Sequence, residues 1–188
     1  IMNYIPKIGN KIEEDIYKKV YTEETNNLYD FQNQNGNEIY INMRATFWIK
    51  AFTFNPGSNE YKEFKYENDN YYFILCLLNS SLFWVYWTII SDCWHITTKE
   101  LKHFILPKEL KDNKMYEKLY KKLENKLEKT KKYIGSKQTN YEYKHRLCKD
   151  IIDEIDDCIG KEYKLSSDEI KYCKNFALKY RVSEGKND

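Results

Sequence analysis

The hydrophobic and polar positions of this 188-residue chain fall into three zones with different periods. In the first, up to about residue 70, apolar residues alternate in patches. "NEIYINMRATFWIKAFTF", Asn37 to Phe54, is rich in aromatic and β-branched residues and reads as two strands or one bent strand. The Asn-, Gln- and Gly-rich run Thr25 to Asn37 ahead of it is loop chemistry. Asn55 to Tyr61 behind it is a turn, with Pro56 and Gly57 in the second and third places of a type II geometry. The second zone, Tyr71 to Ile90, holds 20 residues without a charge, a length that admits a membrane span. Yet Asn79, Ser80 and Ser81 stand at its middle, where lipid would leave polar groups short of partners. Asp69 and Asp92 flank it in place of the Lys and Arg of an anchored span. The zone is therefore expected to be one buried helix, N-capped by Asp69 or Asn70, at the centre of the fold.

The third zone has a helical period. Met115, Leu119, Leu123 and Leu127 recur every four residues with Tyr116 and Tyr120 beside them, a narrow apolar stripe on a charged helix that begins after a break at Pro107. Cys148, Ile151, Ile152, Ile155 and Ile159 trace a second stripe that should end near Gly160. Ile170, Cys173, Phe176, Ala177 and Tyr180 form a third, opened by Ser166 and Glu169 in capping-box spacing. The expected fold is α+β: a small mixed or antiparallel sheet packed on a central apolar helix, then a long helical spacer and a C-terminal helical hairpin. Residues 1–110 would form the α/β part and 111–188 the helical part.

Composition changes this picture little. With 41% hydrophobic and 16% aromatic residues, the chain can bury enough apolar area to offset the entropy of folding. Five scattered cysteines without a C-x-x-C pair read as reduced thiols rather than a disulfide or zinc framework, which points to the cytoplasm. The first residues carry no charged leader with a short apolar stretch, and Ile1 in place of Met suggests a piece of something longer. Net charge is only +2, but it is unevenly spread. From Lys99 to Lys149, 16 Lys and Arg stand against 7 Asp and Glu, so this stretch is strongly basic and the remainder acidic. Such a segment suits contact with phosphate, although lysine-rich helices are also simply soluble.

Catalytic patterns are missing. No glycine-rich strand-to-helix turn is present to cradle a cofactor. The N/D/S-P-P-Y/F tetrapeptide of amino-methylating enzymes is also missing: Asn55 and Pro56 are followed by Gly57, which has no ring to stack on a flipped base. Glu60 with Lys62 and Glu63 with Lys65 have the E-x-K ending of a nuclease pattern without the preceding Asp. Cys93 and His95 lack an orienting third group, so Cys93 or Trp94 is expected to pack and Asp92 to cap or pair locally. His103 and His145 sit among lysines and read as surface residues rather than metal ligands.

Two stretches carry a resemblance. "LLNSSLFWVYWTIISDCWHITTKELKHFILP", Leu77 to Pro107, resembles the signature of target-recognition domains in type IIG restriction-modification enzymes and related adenine methylases. In that family L-L-N-S-x-L-F is followed by aromatic residues, S-D-x-x-H-[IL], a short E-[IL] helix and F-x-[IL]-P. "IIDEIDDCIGKEYKLSSDEIKYCKNFALKYR", Ile151 to Arg181, is similar to the family's I-D-x-I-D-x-x-L-A-x-x-Y-G-[FL]-[ST]-x-x-E-[IL] ending with K-Y-R. It departs at Ile159 and Gly160, where Leu-Ala is usual, and at Lys164, where Gly is usual.

The resemblance implies a DNA-recognition module with no active site of its own. Its partners would be double-stranded DNA and an upstream methyltransferase domain of the same polypeptide, which would bind S-adenosylmethionine; no cofactor and no membrane are expected for these residues. Basic residues of Lys99 to Lys149, Lys99 and Lys102 among them, would meet phosphates. Arg44 and Lys50 suit guanine, Asn33, Gln34 and Asn35 suit adenine, and His95 belongs to the S-D-x-x-H element at the interface. Phe83, Trp84, Tyr86 and Trp87 are expected to pack in the core. Rival readings are a specificity subunit of a multi-subunit restriction system, a protein anchored in a membrane by residues 71–90, and a nuclease acting alone.

Overall fold

Near the N-terminus, a helix missed by the zoning is set by a polar cap. The structure, a computed structural model, describes residues 5–108, 113–137 and 139–183. Asn10 accepts a hydrogen bond from the Glu13 N–H at 2.9 Å and starts α1, Lys11–Val20. Only Ile16, Tyr17 and Val20 make up its buried apolar stripe, short enough to vanish among the charges around it. Asn37 to Phe54 resolves into two strands, β1 (Asn37–Asn42) and β2 (Ala51–Phe52), and β3 (Tyr61–Tyr66) adds a third. The sheet is antiparallel in the order β2-β1-β3, with Asn37 opposite Tyr66 and Tyr40 opposite Phe52. Ile39 and Ile41 face the core, giving β1 its period of two. In the Asn55–Tyr61 turn, Gly57 has the positive φ, 77°, that a type II third position requires.

The uncharged stretch forms two helices, not one. Here α2 (Asn68–Asn79) and α3 (Ser81–Ile90) meet at a 65° bend. Ser80 makes the break: its backbone is extended, and its hydroxyl donates to the Leu77 carbonyl at 2.6 Å and accepts from the Phe83 N–H at 3.1 Å. One residue thus ends a helix and caps the next. The first helix is preceded by Glu67 without a side-chain cap, rather than by Asp69 or Asn70, because the chain turns in directly from β3. Among the described residues no helix is long and apolar enough to cross a membrane, and nearly every side chain from Phe73 to Ile90 is buried in the protein.

Asn79 ties this bend to the sheet. Its amide donates to the Ala51 and Leu75 carbonyls at 2.9 and 2.8 Å, and its oxygen accepts from the Ala51 N–H at 3.3 Å and from His145 Nε2 at 3.0 Å. That exhausts the donors and acceptors of a carboxamide. To Ala51, Asn79 is the next strand. His145, expected on the surface, is completely buried, and burial together with the nearby Lys50 and Arg181 charges holds its imidazole well below its ordinary pKa. His103, also expected on the surface, is half-buried, stacked on Tyr21 with its Nδ1 2.9 Å from the Thr22 carbonyl.

After the short helix α4 (Thr98–Lys102), opened by a Thr97–Glu100 capping box, come α5 (Asn113–Thr130) and a hairpin of β4 (Lys132–Tyr133) and β5 (Tyr141–Glu142). Tyr116 and Tyr120, not Met115 and Leu119, lead the buried face of α5, since they meet α2 and β2: Tyr116 sets its ring edge-on to Phe73 at 5.1 Å, and Tyr120 donates to the Ala51 carbonyl at 3.2 Å. A single-turn 3-10 segment, His145–Cys148, leads into α6 (Lys149–Glu162), then α7 (Ser167–Asn175) and α8 (Leu178–Arg181). Gly160 lies inside α6 and does not end it; a β-carbon there would come within 2.5 Å of Ile170 Cγ1, so the glycine lets the two helices close. The end itself is a Schellman motif: Leu165 N–H donates to the Gly160 carbonyl, Lys164 N–H to that of Lys161, and Lys164 has φ 53°. The third stripe stops early, because Ala177 at φ 52° interrupts the helix and leaves Tyr180 53% exposed.

One hydrophobic cluster runs through both sides of residue 110, with Tyr163 against Phe104 at 5.4 Å. Its polar centre lies at Ser81. The Ser81 N–H donates to Asp156 Oδ1 at 2.7 Å, and Arg181 Nη1 donates to Ser81 Oγ at 3.2 Å. The guanidinium lies between Trp48 and Trp84, 4.0 and 4.5 Å from the ring centres, while its Nε donates to the Phe47 carbonyl. Burial pushes the Asp156 carboxyl up to about 6 and Arg181 down to about 10.

Two stability measurements follow from these buried groups. Asn79→Leu keeps the volume but strands the Ala51 and His145 donors, so urea unfolding should show a loss of about 3 kcal/mol or more; an unchanged midpoint would remove Asn79 from its structural role. Asp156 and His145 act oppositely with pH. The raised Asp156 pKa adds stability that is full below its ordinary value near 3.8 and lost as pH rises through about 6. The lowered His145 pKa adds stability that is present above about 6.5 and lost as pH falls. Between about pH 6 and 4, His145→Gln should therefore resist acid better than the parent and Asp156→Asn worse. Parallel unfolding curves for all three proteins would contradict this.

Candidate nucleic-acid interface

The S-D-x-x-H element forms a pinned turn at the end of α3. Asp92 Oδ1 accepts from the Trp94 and His95 N–H groups at 2.8 and 2.9 Å, which holds its carboxyl below the usual range. Ser91 Oγ accepts from the Cys93 N–H at 3.0 Å, and Cys93 takes a left-handed φ of 60°. Buried Trp87 donates its indole N–H to the His95 carbonyl at 2.9 Å, and Ile96 N–H reaches the Met43 carbonyl at 2.8 Å. Two ammonium groups sit on carbonyls at the C-terminal end of α3, Lys99 on Ile90 and Lys7 on Ser91, each at 2.7 Å, where the helix dipole is negative. Asp92 pairs locally, as its place in the sequence suggests. Cys93 and Trp94 do not pack as expected: both are exposed, because the left-handed turn aims them outward.

Arg44 joins this turn to a groove. It is bridged to His95 through the backbone, its guanidinium lies 4.9 Å from the centre of the Trp94 ring, and its Nη1 is 3.3 Å from Glu60 Oε1. The groove, of about 540 Å³, runs between the sheet and the β4–β5 hairpin. Arg44, Lys50 and Glu60 line one wall; Lys132, Thr139 and Tyr141 line the other. Cations, hydroxyls and an aromatic ring thus face one volume, the mixture that phosphate and base edges require. A second, more basic groove of about 760 Å³ follows α5, bordered by Lys114, Lys118, Lys121, Lys122, Lys126 and Lys129. Lys121, Lys122 and Lys126 are paired there with Glu117, Glu154 and Asp150.

Of the residues singled out in the sequence, Arg44, Lys50 and His95 come together. Lys50 lines the groove from a nearly buried position, 7% exposed. Asn33, Gln34 and Asn35 stand elsewhere. They precede β1 whereas Arg44 follows it, and the strand alone separates them by roughly 17 Å at its usual rise. Asn33 is occupied with Glu67 and with the Asn35 N–H, while Gln34 and Asn35 are exposed. Lys102 lies over the Tyr29 ring at 5.1 Å. The hairpin, with exposed Tyr133, Ile134 and Tyr141, was missed because "KKYI" continues the lysine-rich helical pattern. Its signal was present in Gly135 and Ser136 between aromatic runs. Among the described residues no group of three or more His, Cys, Asp or Glu side chains could hold a metal ion.

Trp94 is 51% exposed while Trp48, Trp84 and Trp87 are at most 5% exposed, so iodide quenching should read this turn selectively. Trp94→Phe should remove the iodide-accessible part of the emission, and Arg44→Ala should weaken its quenching by removing the cation that draws the anion in. Undiminished quenching in Trp94→Phe would mean that the turn is not built as described.

Compared with family models, curated proteins and solved structures, the chain matches none.

Proposed function

We propose that this chain is the DNA target-recognition part of an adenine-methylating restriction-modification protein, acting in the cytoplasm, with methyl transfer left to a separate domain that binds S-adenosylmethionine. The observation that carries the reading is the Ser91–Ile96 turn, whose Trp94 and His95 both contact Arg44, a residue that lines a groove shared with Lys50 and Lys132. Two features of the resembled pattern also acquire a physical sense. The polar residues of its two stretches meet, with Asp156 and Arg181 both bonded to Ser81. Lys164, where the pattern carries Gly, has the left-handed backbone that favours Gly.

The division of labour is energetic. Methylating an adenine amino group requires the base to leave the stack at a cost of a few kcal/mol, and contacts made elsewhere must supply it. Arg44 offers the fork geometry that reads guanine, while the α5 lysines meet phosphates without reading sequence. Lys99 is better placed as a cap on α3 than as a contact to DNA.

The test is selection from a random pool of short duplex DNA at about 50 and 200 mM salt. The chain should enrich one short motif, with affinity falling steeply as salt rises. Arg44→Ala should cost about 1–3 kcal/mol of discrimination at one base pair. Replacing Lys114, Lys118 and Lys129 by Gln should lower the salt slope by up to about 3 and leave the motif unchanged. Absence of binding at the lower salt would end the proposal.

A further inference from the structure

A half-exposed tryptophan on a rigid support is an unusual use of the residue. The chain buries its other three indoles completely or nearly so, and each of those three spends its N–H on a backbone carbonyl: Trp48 on Arg181, Trp84 on Thr46, Trp87 on His95. Trp94 differs in every respect. The turn beneath it is pinned by Asp92, Ser91 and Trp87, and includes a left-handed Cys93, a conformation that costs a non-glycine residue about 1 kcal/mol or more. Arg44 covers one face of the indole at 4.9 Å, and His95 stands edge-on at 6.2 Å and 71°. With 51% of the residue exposed, much of the indole that Arg44 does not cover meets solvent.

Resting on the recognition reading above, we infer that Trp94 is a stacking platform for one unpaired nucleobase of the bound DNA, with Arg44 as its backing. The occupant follows from the surroundings. A paired base offers only its edge, so a ring presented flat at the rim of a groove suits a base already out of the stack. Arg44, which touches the indole, also lines the groove, where it, Lys50 and Lys132 outnumber the carboxylates Glu60 and Glu142; that balance fits the charge of an adjoining sugar-phosphate chain rather than an apolar protein face. Arg44 polarises the indole from behind and keeps it from collapsing onto the surface. Stacking on Trp94 would thus hold open a base that recognition has loosened, with no chemistry performed by this chain.

The experiment compares a short duplex carrying one bulged adenine with the same duplex fully paired, at low and moderate salt. The wild-type chain should prefer the bulged duplex by about ten-fold or more. Trp94→Phe should keep most of that preference and Trp94→Ala should abolish it. The loss should be the same factor at both salt concentrations, since stacking releases no counterions, whereas the α5 lysine variant should change the salt slope and spare the preference. An undiminished preference in Trp94→Ala overturns the stacking role and leaves the recognition reading standing; the indole then serves a protein surface. Failure of the wild-type chain to bind either duplex overturns both. Unchanged urea unfolding of Trp94→Ala, expected for an exposed residue, separates these outcomes from misfolding.

Discussion

Asn79 stands where a fourth strand would otherwise be needed, and the arrangement of the rest depends on it. A two-residue strand such as β2 pairs with β1 on one side only, and its other edge would be left with unmet backbone groups in the middle of the core. Asn79 meets both polar groups of Ala51, and Tyr120 adds a second donor to the carbonyl. Because the amide must point at the sheet, α2 has to end there. Ser80 then turns the chain through the bend that lets α3 pack against α1, α6 and α7 instead of running on with α2 as a single rod. Asn79, Ser80 and Ser81, together at the middle of an uncharged stretch of twenty, are thus the means by which it becomes two packed helices.

The residue after the bend ties α3 to the C-terminal helices. Ser81 presents its backbone N–H to Asp156 and its hydroxyl to Arg181, and the tryptophans on either side of the guanidinium close the site against water. Buried charge of this kind is expensive: Asp156 Oδ1 is satisfied by the Ser81 N–H, while its Oδ2 is buried without a hydrogen bond, in keeping with a carboxyl pushed up to about 6 by burial. Here it joins the sheet loop at Phe47 and Trp48, the bend, α6 and the C-terminal turn of helix in one constellation. The same need for partners accounts for many of the 18 tyrosines. The hydroxyls of Tyr66, Tyr71, Tyr86 and Tyr163 each end on a backbone carbonyl, those of Leu28, Glu38, Glu100 and Ile105, so large rings fill the core while their polar ends find partners.

Support and display are therefore divided along α3. Its buried residues anchor the turn that follows, through Trp87 to His95 and through two lysines to its last carbonyls, and the exposed residues of that turn are free to face a ligand. The groove beside them has walls that lie some 80 residues apart in sequence, the sheet and a hairpin whose strands are two residues each. Rigid placement of such a site comes from the core beneath it and not from the length of the elements that carry it.

By itself the sequence determined the α+β class, the strands of residues 37–54, the type II turn at Gly57, the helix faces around Leu123 and Ile155, and the cap at Ser166, because each is a local matter of period, φ or a nearby hydrogen bond. It also made Asp92 a local partner and marked Arg44 and Lys50 for attention. What it could not reveal was which polar residues were for the core. His145 among lysines has neighbours that misrepresent its surroundings, since its partner Asn79 lies 66 residues away. The same holds for the outward Trp94, which any count of hydrophobic residues assigns to the interior. Burial belongs to the whole fold, decided when distant segments compete for the same space, and only the tertiary structure settled which side chains support the groove and which ones face it.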